Sequence, residues 1–113
     1  MRWLLMGCLM VLLLVGCGAE EVDDWVYDGF LAFGFETSSF VPCNSEENWW
    51  VIPNQQTSDG YTAVSQQPYQ AVFARLKGDV SESGMYGHLG QYDREFTVRE
   101  VVEIRPAGAG DCQ

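Results

Sequence analysis

Apolar side chains return at every second position in two stretches of this chain, and that period restricts the fold more than any other feature. From Trp25 the odd positions Trp25, Tyr27, Leu31, Phe33 and Phe35 are apolar, with Asp28, Ala32, Gly34 and Glu36 between them. Phe30 breaks the rule. Near the C-terminal end Phe96, Val98, Val102 and Ile104 share one face, and Glu95, Thr97, Arg99, Glu103 and Arg105 share the other. A period of two belongs to strands buried mainly on one face. Phe40 is an even position, so the phase slips after Glu36. A bulge near Thr37–Ser39 would restore the inward direction, giving one long strand bent at Gly29 and Gly34. Glu100 falls on the apolar side of the last strand, so the strand either ends there or bulges. Two shorter strands are expected at Trp49-Trp50-Val51-Ile52 and from Gln70 to Gly78, the latter with Val72, Ala74 and Leu76 on one face. Residues 55–67 are polar and read as a long loop or a loop holding a weak helical turn. No repeat and no long amphipathic helix occurs, so the class is all-β, a small barrel or a sandwich.

The first 15 residues are different in kind. Arg2 is followed by an apolar stretch from Trp3 to Val15, and after Glu20 the chain turns acidic. The stretch is shorter than the roughly 20 residues that an ordinary spanning helix needs, and it suits a secretory signal. Leu14-Val15-Gly16-Cys17 resembles a bacterial lipobox. That resemblance implies cleavage before Cys17 and acylation of its thiol and new amino terminus. Several acyl chains anchor far more firmly than one. Residues 1–16 are therefore expected to be the signal peptide, 17–24 a lipid-anchored acidic tether, and 25–113 the folded domain. The partner implied for Cys17 is the lipid bilayer. Gly18, rather than Asp, follows the cysteine, which by resemblance favours the outer membrane, with the domain facing the periplasm.

Removing the first 16 of 113 residues leaves 97, enough for a single small domain. Five Lys+Arg then stand against 16 Asp+Glu, a net charge of −11, because Arg2 leaves with the signal. Such a surface argues against nucleic acid as a partner. With Cys8 removed and Cys17 acylated, Cys43 and Cys112 remain in an oxidising compartment, and one disulfide between them is expected. The competing reading is a thiolate metal site, but the chain has no CxxC and a single histidine.

The folded part also resembles the C-terminal OB-fold domain of the NlpE family of copper-resistance and envelope-stress lipoproteins. The residues that carry the likeness are Gly29-Phe30-Leu31, Phe40-Val41-Pro42-Cys43, Trp50-Val51, Val72-Phe73, Gly78, Val101-Val102-Glu103 and Asp111-Cys112. The resemblance implies a small closed OB-like barrel of about five short strands, with the two cysteines bonded. The CxxC of that family's N-terminal domain has no counterpart here, so copper handling is not carried over, and no cofactor is expected.

Local features offer few sites. Trp49-Trp50 beside Glu46-Glu47 is the most unusual; on a strand one Trp faces inward and the other outward, and an exposed Trp among carboxylates suits a sugar, a peptide or a basic protein. The opposing reading covers both rings, one in the core and one under residues 55–67. Met85 and His88 offer sulfur and nitrogen to a copper ion, yet two ligands do not complete a site, and His88 reads better as a turn residue packed on Tyr86 or Tyr92. Glu36, Glu46, Glu47 and Glu100, or Ser38 and Ser39 with His88, give no recognisable catalytic pattern. The expectation is a non-enzymatic envelope lipoprotein acting as an interaction or ligand-binding module for a protein or small ligand. The alternatives are an inhibitor of a basic hydrolase such as lysozyme, and a metal-responsive lipoprotein.

Overall fold

The computed structural model describes residues 25–113. The expected signal peptide, the tether and Cys17 lie outside the described residues. The elements run β1 (Val26–Gly34), β2 (Thr37–Pro42), β3 (Trp49–Ile52), α1 (Gln55–Val64), β4 (Val72–Val80), a 3-10 turn (His88–Gly90) and β5 (Arg94–Pro106). The strands close into a barrel in the order β1-β2-β3-β5-β4, with β4 returning to β1. Only the β3–β5 pair is parallel. This is a small all-β, OB-like barrel with one helix between β3 and β4.

The first strand does not bulge where its phase slips. It reverses. Gly34 pairs with Thr37 across a two-residue tip, Phe35-Glu36, and Glu36 takes a left-handed φ of 56°. In a hairpin with two loop residues every odd position faces an even one. Leu31 therefore pairs with Phe40, and both are fully buried. The slip is the signature of the turn. No Asn-Gly or Asp-Gly marks it, which is why the alternation reads as continuous. The odd positions at the strand's ends also point elsewhere than expected. Phe35, at the tip, is 76% exposed, and Trp25 lies open on the surface under the ammonium of Lys77.

The last strand bulges twice. Against β4, Arg99 and Val102 are each extra residues, between Val98 and Glu100 and between Val101 and Glu103. The inward sequence becomes Phe96, Val98, Val101 and Ile104, while Val102 turns out to solvent. Glu100 turns outward too, 3.9 Å from Lys77. One bulge sits beside Gly78, where a Cβ would overlap the Thr97 carbonyl oxygen, so only glycine lets β4 and β5 approach this closely.

The core holds an aromatic cluster. Phe96 packs edge-on to Tyr27 and Trp49 at 5.4 and 5.5 Å and tilts against Phe40 at 5.2 Å. Leu31, Val51, Val72, Ala74, Leu76 and Val98 complete it. Outside the barrel, Cys43 at the end of β2 is bonded to Cys112 of the C-terminal tail, with Cα atoms 5.1 Å apart. The Arg105 guanidinium holds the same tail through Asp111 at 2.6 Å. That contact, followed by the Gly108 N–H, keeps the Asp111 carboxyl below its ordinary range.

Candidate functional site

Within residues 55–67, read as a long loop or a loop holding a weak helical turn, Gln55–Val64 fold as a full helix, α1. Its sequence is a poor helix former, with Thr57, Ser58, Asp59 and Gly60 in succession. Two things outweigh that propensity. Asn54 caps the first turn, its Oδ1 accepting from the Thr57 N–H at 2.9 Å and from the Thr57 hydroxyl at 2.6 Å. Tyr61 then anchors the helix in the core, edge-on to Phe33 at 5.1 Å. Gly60 faces Ile104 of β5, whose terminal Cδ1 would lie 2.8 Å from a Cβ there.

The chain beyond α1 is stitched back to the first hairpin. The Tyr61 hydroxyl donates to the Gln70 carbonyl at 2.6 Å. The Tyr69 N–H donates to the Phe33 carbonyl at 2.8 Å, and the Tyr69 phenol oxygen accepts from the Phe35 N–H at 3.1 Å. Between helix and hairpin lies an open cleft of about 630 Å³, within the range of small-molecule sites. One wall is α1, through Ser58, Tyr61, Thr62 and Ser65. The other is the hairpin, through Phe33, Gly34, Thr37 and Ser38, and Gln66, Gln67 and two prolines border it. None of these residues carries a formal charge at neutral pH, in a chain of net charge −10. Ser38 and Tyr61 already use their hydroxyls within the fold. Among the described residues, Ser58, Thr62, Ser65, Gln66 and Gln67 have no side-chain partner.

The Trp49-Trp50 pair is elsewhere. Trp49 is buried, and its indole N–H donates to Glu47 at 2.8 Å. Glu47 also accepts from Arg94 at 2.9 Å. The indole N–H first, and the guanidinium next, keep the Glu47 carboxyl below its usual range. Trp50 faces outward, but Tyr92 stands edge-on to it at 4.9 Å and the backbone of Gly87 lies against its ring. A side chain at Gly87, which also has a φ of 69°, would collide with that ring. The cover on Trp50 thus comes from the loop between β4 and β5, not from residues 55–67. Glu46 is exposed at the surface.

Met85 is exposed on that same loop. His88, a turn residue as expected, begins the 3-10 turn and presents Nε2 to Glu36 of the hairpin tip at 3.2 Å. Among the described residues no three His, Cys, Asp or Glu side chains gather as metal ligands. Ser38 donates to the Val51 carbonyl at 2.6 Å and Ser39 to Asn48 at 2.6 Å.

Sequence reasoning thus singled out the covered tryptophans and missed the cleft. The signal for it was present: Asn54 ahead of a hydroxyl- and amide-rich run containing one aromatic, Tyr61. Compared with protein-family models, with curated proteins and with solved structures, the chain matches none.

Proposed function

We propose that this protein is a lipid-anchored envelope protein whose barrel works as a non-enzymatic binding module, with the cleft between α1 and the first hairpin as its site. The observation that carries the reading is the cleft itself: a concave, uncharged surface with unused hydroxyls and amides, braced on both sides by hydrogen bonds. Bracing matters because a pre-formed site loses less freedom on binding. The anchor rests on Leu14-Val15-Gly16-Cys17, and the likeness to the barrel domain of the NlpE lipoproteins supports an envelope location. The acylated Cys17 would hold the domain at the outer membrane, facing the periplasm.

Cys17→Ser should move the protein from the membrane to the soluble fraction on fractionation; an unchanged membrane pool would sink the anchor. A photocrosslinking residue at Gln67, at the cleft, should give a discrete adduct in intact envelopes. The same residue at Val102, exposed on β5, should not. Equal labelling from both positions, or none from Gln67, would overturn the module reading.

A second reading has one observation in its favour. The hairpin tip is held out by the Glu36–His88 contact, with Phe35 76% and Leu89 74% exposed beside it. A protruding apolar tip on an acidic domain suits an inhibitor that enters a basic hydrolase, and inhibition assays against lysozymes separate this reading from the first.

A further inference from the structure

We propose that the ligand of the cleft is a neutral oligosaccharide. This deepens the binding-module reading and rests on it. The argument begins from charge. Every residue lining the cleft is neutral, while the chain as a whole carries 16 Asp+Glu. A cationic ligand would find no carboxylate in the lining, and an anionic one no Lys, Arg or His. Burying either would cost solvation that nothing at the site returns. A neutral ligand pays no such cost.

The lining then discriminates among neutral ligands. Ser58, Thr62 and Ser65 present hydroxyls, and Gln66 and Gln67 present amides, all without protein partners. Each of these groups both donates and accepts, as does a sugar hydroxyl, so the pairing is satisfied in either direction. Phe33, half-buried on the hairpin with Tyr61 edge-on to it, adds an aromatic surface for the C–H face of a pyranose ring. A peptide is less well served. At the cleft β2 runs past its pairing with β3 by two residues, Thr37 and Ser38, an edge too short to seat an extended peptide by main-chain pairing. The cleft is also open rather than enclosed, whereas a peptide's apolar anchor is held in a fully desolvated pocket.

The test is calorimetric titration of the full lipidated chain in a zwitterionic detergent without a sugar headgroup. The probes are neutral tetrasaccharides of N-acetylglucosamine and of glucose, a galacturonate tetrasaccharide, and an uncharged Gly-Gln-Ser peptide capped at both ends. At least one neutral tetrasaccharide should bind, and the galacturonate and the peptide should not. Thr62→Glu, on the exposed face of α1, and Gln67→Ala should each weaken binding about tenfold, with unchanged thermal unfolding. Equal binding of the galacturonate, or neutral-sugar binding untouched by both variants, would overturn the proposal. Peptide binding without sugar binding would also overturn it while leaving the cleft as a ligand site. Absence of a Gln67 adduct in the envelope would remove the binding-module reading itself.

Discussion

Removing the Cys43–Cys112 bond will lower the unfolding free energy by roughly 3–5 kcal/mol, on the chain-entropy account for a loop of this length. The bonded residues are 69 apart in sequence, and the loop they close contains β3, α1, β4, β5 and most of the tail. Fixing its ends removes many conformations from the unfolded chain. The native state keeps other ties at the same place: the Cys43 N–H donates to the Asp28 carbonyl at 2.8 Å, and Asp111 is held by Arg105. The Cys43→Ser/Cys112→Ser chain should therefore keep the barrel and lose stability. Urea unfolding of the two forms measures the difference. A loss below about 1 kcal/mol would mean that the unfolded chain is already constrained, or that the tail is detached in the native state.

Phe96→Ala should cost about 3–5 kcal/mol, because the ring is fully buried and its removal leaves a hole that the barrel cannot collapse to fill. Phe96 touches three aromatic rings contributed by β1, β2 and β3, so its loss loosens the packing of most of the barrel. Val102→Ala is the matched comparison. On simple alternation it would belong to the same face as Phe96 and cost nearly as much. With the bulges in β5 it lies 47% exposed, and its removal should stay within about 0.5 kcal/mol. Denaturant midpoints for the two variants decide the matter. Comparable losses at both positions would contradict the bulged register.

Much of the fold was legible because burial on one face writes a period of two into the sequence. The inward positions of Leu31 and Phe40, though not their pairing across a hairpin, the inward row Val72, Ala74 and Leu76, and the Cys43–Cys112 bond follow from it and from cysteine arithmetic. The errors lie where local sequence carries no energy of its own. The hairpin tip is Phe35-Glu36, a pair with no turn preference, held from outside by Tyr69 and by the Glu36–His88 contact. The helix is built from weak helix formers and is stabilised by one cap and one buried tyrosine. The cleft lies between those two elements, so missing them meant missing the site. The tryptophan pair drew attention because its residues are rare, but rarity says nothing of exposure. Trp49 fills the core, and a loop more than thirty positions away covers Trp50.

The central claim is that ligand enters the uncharged cleft between α1 and the first hairpin. Two-dimensional amide spectra of the full chain, recorded with and without a neutral tetrasaccharide, test it most directly. The expected shifts fall on Thr62, Ser65, Gln66 and Gln67 and on Thr37 and Ser38 across the cleft, with Trp50, Gly87 and Tyr92 unmoved. Shifts centred on Trp50 and its covering loop, with the helix silent, would contradict it.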